Sequence, residues 1–273
     1  MAIRVFARRN FKGEDIAGFD VGNLQHLSDP MRPTSARLTA SDDRLLFFLR
    51  PEWQGQAMFL HGVKEVSNLG HPGDGGRVGF ENTINAMRVT PFRVQARFFV
   101  ITDAGGAFPG GIASQADAET FVEESVLRAD AIWAPHLVNV SLESIEFPPD
   151  AADFFDLNRE FWKVILASRR FDGLRAGVNV LLVNSLRGNI VGTSVNHKLS
   201  RRVAIEPEAT SFLSGHTLAH ELGHFFGLGL HSDTPGNLME SGALGVDLTD
   251  GQIERAHENL ARGSGLNSGI RIE

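Results

Sequence analysis

Short runs in which apolar and polar residues alternate (IRVF, ARLTA, LLFFL, AMRVT) recur through the first third of the chain, separated by Gly, Pro, Asp and Asn. A period of two interrupted by turn formers predicts short antiparallel strands. From Arg97 onward the pattern changes. ARFFVIT predicts a buried strand, and Ser114-Gln-Ala-Asp117 opens, in a capping-box pattern, a helix through about Ala131. VNVSLESIEF alternates as a strand, whereas Phe154, Leu157, Phe161, Val164 and Ile165 recur at helical spacing. GVNVLLVNSL, NIVGTSV and RRVAIEP predict three further strands, followed by a helix from near Ser214 to Gly227. A last helix is predicted over LTDGQIERAHENLARG, with Thr249 and Gln252 in a capping-box relation. Two domains follow: an all-β one over residues 1–94 and an α+β one over 95–273.

The first domain carries an internal repeat. Phe6, Phe11 and Gly13 recur as Phe48, Trp53 and Gly55, and Val21, Leu24 and Leu27 as Val63, Val66 and Leu69, all displaced by 42. Arg37-Leu38 matches Arg88-Val89 at a displacement of 51, so about nine residues are inserted, placed by the reading in GHPGDGGRVG. Two aromatics followed by Gly suit a hairpin folded over its own sheet, the Gly taking a backbone angle that other residues resist. Residues 1–94 thus resemble a βγ-crystallin domain, which implies two Greek-key motifs packed as a sandwich. Members of that family bind Ca2+ shortly before the last strand of each motif. The matching stretches here, Pro30 to Ser35 and Glu81 to Ala86, fall short of the acidic and hydroxyl ligands that calcium needs, so a structural sandwich is expected and Ca2+ is a secondary candidate.

Composition narrows the function. With 42% apolar and 22% charged residues the chain reads as globular, and no window reaches the length of a membrane span. The start, MAIRVFARRN, lacks the apolar stretch of a signal peptide. The net charge of −7 is uneven: 12 Lys+Arg face 10 Asp+Glu up to Val94, against 14 and 23 beyond it. Nucleic acid and membrane are therefore not expected as partners, while the opposite signs allow an intramolecular contact between the two domains. Cysteine is absent, which removes disulfides, thiolate ligands and thiol nucleophiles.

The chemistry concentrates in HELGHFFGLGLH. His220 and His224 are four apart and project from one helix face, so two imidazoles can share one metal ion. Glu221 lies about 100° around the axis, outside that ligand pair yet near enough to take a proton from a water beside the metal. Gly227 can end the helix in a left-handed turn and send the chain back toward the metal. Met239 follows in a turn-rich stretch. The whole of 95–273 resembles the metzincins, most closely their matrixin-like and bacterial reprolysin-like members, whose motif is HExxHxxGxxH followed by a methionine turn. The resemblance implies a zinc-dependent endopeptidase with Glu221 as general base, His220, His224 and a third histidine as ligands, and Met239 beneath the metal. The third histidine departs from the pattern: position 230 is Leu and the histidine is His231. Either Gly229 permits a bulge that brings His231 in, or another group such as Asp233 substitutes. His216 reads as an ordinary polar helix residue.

Extended protein or peptide substrate would add as a strand along NIVGTSV, in the manner the resemblance implies. Tyrosine is absent, so no phenol can assist after the methionine turn. Two other functions remain open: a non-catalytic binding protein stabilised by zinc, and a protease for which residues 1–94 act as inhibitory module. The resemblance favours export, without a classical signal peptide to carry it.

Overall fold

The computed structural model describes residues 3–6, 15–19, 25–26, 35–38, 44–50, 54–61, 64–66, 86–88, 92–157, 177–186, 190–197, 200–229, 231–242 and 244–264. They divide into two compact units. One holds the strands before Pro91 together with the helix Asp250–Ser264, and the other spans Phe92–Thr249.

In the first unit the strands are β1 (Ile3–Phe6), β2 (Asp15–Phe19), β3 (Gln25–His26), β4 (Ser35–Leu38), β5 (Arg44–Arg50), β6 (Gln54–His61), β7 (Lys64–Val66) and β8 (Ala86–Arg88). They pair antiparallel in two sheets, ordered β2-β1-β4-β7 and β3-β8-β5-β6. The sequence repeat maps onto this order: β1, β2 and β4 of the first copy share a sheet, as do β5, β6 and β8 of the second, while the short third strands, β3 and β7, each join the other copy's sheet. Phe11, Gly13 and Trp53 lie outside the described residues, as do 30–34 and 81–85 of the stretches considered for Ca2+, and Gly55 falls in β6.

The C-terminal helix, read from the sequence as part of 95–273, groups with this unit. It buries Ile253, Ala256 and Leu260 on one stripe at helical spacing. His257, fully buried, stacks on Phe59 of β6 with ring centroids 6.1 Å apart, and the Phe59 amide donates to Glu254 Oε1 at 3.3 Å.

The second unit is built on a five-stranded mixed sheet. It comprises β9 (Phe92–Val100), β10 (Val138–Glu146), β11 (Val178–Leu182), β12 (Gly192–His197) and β13 (Ser200–Ile205), in the order β10-β9-β11-β13-β12. Four strands run parallel and β12 alone is antiparallel, on the edge. The parallel pair β9 and β10 needs a crossover, and α1 (Gln115–Trp133) supplies it, which gives this unit an α/β build. Strand β9 begins at Phe92 because Phe92, Val94 and Ala96 already alternate inward; from Phe98 it is buried continuously, as in a sheet covered on both faces. Phe99, Ile101, Leu181, Val183 and Ala204 pack on one side with Phe154 and Leu157. Of the helix predicted around those two, the described part forms the turn Ala152–Phe154 and then a bridge from Asp156 to Ser185; Phe161, Val164 and Ile165 lie outside the described residues.

Helix α1 starts where the capping box places it: the Asp117 amide donates to Ser114 Oγ at 3.2 Å, and the Ser114 hydroxyl donates to Asp117 Oδ2 at 2.6 Å. Helix α2 (Ser211–Phe225) starts three residues before the expected Ser214, because Thr210 rather than Ser214 caps it, accepting from the Leu213 amide at 3.3 Å. The helix Asp250–Ser264 of the first unit is α3. Trp133, at the end of α1, is fully buried; its indole N–H donates to Ala219 O of α2 at 3.0 Å, and its ring meets Phe226 edge-on at 4.9 Å. No helix among the described residues is long and apolar enough to cross a membrane.

Replacing Trp133 by Phe should remove the indole hydrogen bond to Ala219 O and part of the buried ring, and lower unfolding free energy by about 1–3 kcal/mol. The urea midpoint of the second unit's transition reads this, and an unshifted midpoint would show that the hydrogen bond carries no weight.

Candidate metal centre

Helix α2 carries His220 and His224 one turn apart, with ring centroids 4.9 Å from each other. Each ring is fixed by a backbone carbonyl: His220 Nδ1 lies 2.7 Å from Leu238 O, and His224 Nδ1 lies 2.6 Å from Leu228 O. A carbonyl oxygen only accepts, so both Nδ1 atoms carry the proton and both Nε2 lone pairs remain for a ligand.

Both carbonyls are delivered by turns. The helix ends with Gly227 at φ 94°, the Gly227 amide donating to His224 O at 2.9 Å and the Leu228 amide to Gly223 O at 2.9 Å. This paired arrangement is the Schellman motif, which needs a left-handed residue where Gly227 stands. It turns Leu228 O back to His224 and leads the chain to His231. The second carbonyl belongs to the loop around Met239. There the Leu238 amide donates to Asp247 O at 2.7 Å, the Met239 amide to Asn237 Oδ1 at 3.0 Å, and the Ser232 amide to Met239 O at 2.8 Å. Met239 is fully buried under α2. A Cβ added at Gly223 would stand 2.5 Å from Met239 Sδ, so the glycine of HELGH is what allows the thioether this close.

His231 joins the other two. Its ring centroid is 5.3 Å from that of His220 and 5.1 Å from that of His224, and one ligand atom from each of the three histidines lies within 4.8 Å of the others. Nε2 of His231 is 3.3 Å from Nε2 of His224. Nitrogens bound tetrahedrally at about 2.0–2.1 Å to one zinc ion stand about 3.3–3.4 Å apart, so this spacing suits a shared ion. Asp233 is exposed and outside the cluster. Position 230, where the family spacing would put the third histidine, lies outside the described residues; at Gly229, where a bulge was expected, a side chain would meet open space.

Glu221 points into the same space. Only 6% of it is exposed, Oε2 has no hydrogen-bond partner, and Ser194 of β12 bonds to its carboxylate. A Cβ at Gly192 would fall 2.8 Å from Glu221 Cγ and 2.6 Å from Thr217 Cγ2, so this glycine lets the edge strand approach the helix. The four residues surround a cavity of about 680 Å³, bordered by Gly192–Ser194 on one side and by Ser241, Gly242 and Leu244 on the other.

Burial sets the protonation states. It lowers His220 to a pKa of about 4, the Leu238 hydrogen bond opposing, and it lowers His224 as well. It raises Glu221 to about 7, the Ser194 hydrogen bond opposing. The imidazoles are thereby held neutral, the form that ligates. His216, read from the sequence as an ordinary polar position, is 3% exposed and bonds through Nε2 to Gly245 O at 2.6 Å, tying α2 to the loop after Met239. Ser194 and Gly192 were not singled out by sequence; the only sign of them was their place in a strand expected to border the site.

No family model matches the chain, and no curated protein matches it. Among solved structures the chain is similar to the archaemetzincin of Methanopyrus kandleri, with 16% identity and a TM-score of 0.42 over 62% of this chain and 96% of that one. It is also similar to a chaperone-substrate complex, with 13% identity and a TM-score of 0.44 over 69% of this chain and 36% of that one, so it spans about a third of the second structure's length.

A pH dependence follows for metal-stripped protein. Glu221, raised in the folded state, costs stability above pH 7 and ceases to cost it as pH falls from 7 to its unfolded value of 4.5. His220, lowered in the folded state, has the opposite sense: stability is lost as pH falls from 6.5 toward 4. Glu221→Gln should therefore stabilise the stripped protein by an amount on the order of 1–3 kcal/mol at pH 8, with the difference gone near pH 4.5. Denaturation at both pH values measures it; a difference independent of pH would exclude the carboxylate as its source.

Proposed function

We propose that the chain is a zinc-dependent metallopeptidase that hydrolyses peptide bonds in proteins or peptides. The observation that carries this reading is the convergence of His220, His224 and His231 beside a buried carboxylate with a free oxygen. Three imidazoles, two of them braced by carbonyls, are the donor set that zinc prefers, and they leave one position open. A zinc ion held there supplies Lewis acidity for water and for the scissile carbonyl.

The chain's own groups do the rest. Glu221 takes a proton from the attacking water and passes it to the leaving amine. Ser194 holds the carboxylate toward the cavity. Strand β12 has β13 on one side and no described strand on the other, so an extended substrate can pair along Gly192–Ser194 and lie across the histidines. A zinc site that serves only to stabilise a binding protein has no use for a base in this position, which favours catalysis over the non-catalytic alternative. The matrixin or reprolysin kinship, with Met239 as the methionine turn, belongs to the same proposal. So does a βγ-crystallin-like Greek-key sandwich for the first domain, supported by the exchange of β3 and β7 between the two sheets.

The full chain should bind one zinc per molecule and cleave casein or a quenched peptide. Glu221→Gln should lower cleavage by roughly 10²–10⁴-fold while zinc content stays at one, since general-base catalysis is worth about that much. Equal activity in the two proteins would sink the mechanism.

His231→Ala should weaken zinc retention against a chelator by an order of magnitude or more, because a ligand is lost outright. Unchanged zinc affinity would mean that a group other than His231 is the third ligand.

A further inference from the structure

The charged side chains that line the cavity beside the histidines are all carboxylates. Among the described residues lining it are the carboxylates of Glu208, Glu221 and Glu240, and no lysine or arginine. Two of the three are engaged elsewhere. Glu240 accepts from the Gly236 amide at 2.9 Å within its own turn, and Glu221 serves the reaction. Glu208 is different: Oε1 accepts from the Thr217 hydroxyl at 2.5 Å, and no cation faces its carboxylate among the described residues.

Its position relative to the chemistry is set by α2. Thr217 is four residues before Glu221, one turn along the same face, so the hydrogen bond to Thr217 holds Glu208 about 5–6 Å further along the helix than the base. That is the reach of a side chain next to the bond being cleaved. The Glu208 backbone is fixed too, its amide donating to Ser214 Oγ at 2.8 Å. Nearby Glu206 and Asp156 add the same sign; Glu206 is raised by burial first, and by the charges of Asp156 and Glu208.

The mouth of the cavity is apolar. Ile190, Val191 and Leu244 border it and are 48%, 39% and 59% exposed, although each is a large hydrophobe. A long aliphatic stem ending in a cation fits both features: methylenes against the rim, charge at Glu208. A purely apolar side chain would leave the carboxylate unanswered, and an acidic one would be repelled.

We propose that this cavity selects substrates with a lysine or arginine side chain beside the cleaved bond, and that Glu208 is the counter-ion that reads it; the proposal rests on the peptidase reading above. The pairing with Glu208 is a charge interaction at the open end of the cavity, so the preference should weaken as salt rises.

The test uses the zinc-loaded full chain and a random peptide library, with cleavage sites read by mass spectrometry. A basic residue should be enriched at one fixed position within two residues of the cut. Matched peptides carrying lysine or norleucine there keep the stem and differ in charge. The lysine peptide should be favoured roughly tenfold in kcat/KM. Glu208→Gln should bring that ratio toward parity, and Glu208→Lys should shift preference to a glutamate peptide. Anisotropy of the same labelled peptides on Glu221→Gln protein gives the binding ratio without turnover. Glu221-dependent cleavage with no lysine preference, or a preference indifferent to Glu208→Gln, overturns this proposal alone. Absence of any Glu221-dependent cleavage overturns the peptidase reading; equal binding of the two peptides in that case overturns the charge reading as well.

Discussion

The Nδ1 protons of His220 and His224 each require an acceptor, and the two carbonyls that provide one organise the chain around the site. Leu228 O comes from the turn that closes α2, and Leu238 O from the loop containing Met239. Losing either would free a ring to rotate or to change tautomer, and an Nε2 proton there would block a metal. The loops are consequently braced well beyond the histidines. His216 bonds to Gly245 O, and a Cβ at Gly245 would stand 2.3 Å from the Gly236 backbone, so the two ends of the Met239 loop are pressed together.

The same constraint explains the electrostatics. Enclosing the rings to fix them removes water from their surroundings, and that one cause lowers the two helical histidines and raises Glu221 between them. One cause thus keeps the two imidazoles neutral and holds on to the Glu221 proton in the metal-free protein. Ser194, reaching from the edge strand, moderates the rise by favouring the ionised form.

Much of this could be read from residue order, because the contacts concerned are local. His220, Glu221 and His224 share a helix whose period dictates their faces, Ser114 and Asp117 cap within one turn, and Gly227 marks a left-handed ending. The five strands of the second unit declared themselves by apolar runs, although their order in the sheet did not: only the family resemblance, which had substrate adding along NIVGTSV, pointed to β12 as the edge. Long-range packing was likewise hidden. The bond from Ser194 to Glu221, the part played by His216, and the grouping of α3 with the first unit join residues far apart in the chain, where neither periodicity nor motif spacing has any purchase. His231 was the intermediate case: its offset from the usual spacing left Asp233 as a rival, and the folded turn brings His231 and not Asp233 to the cluster.

The packing of Met239 against Gly223 bears on how the protein ages. A thioether is readily oxidised where solvent reaches it, but this sulfur is enclosed, and an added oxygen would have to occupy space already filled by the backbone of the histidine helix. Sulfoxide formation at Met239 therefore requires the loop to lift first, which also withdraws Leu238 O from His220. Chemical damage at this residue and loss of the histidine's orientation thus share one requirement, the opening of this loop.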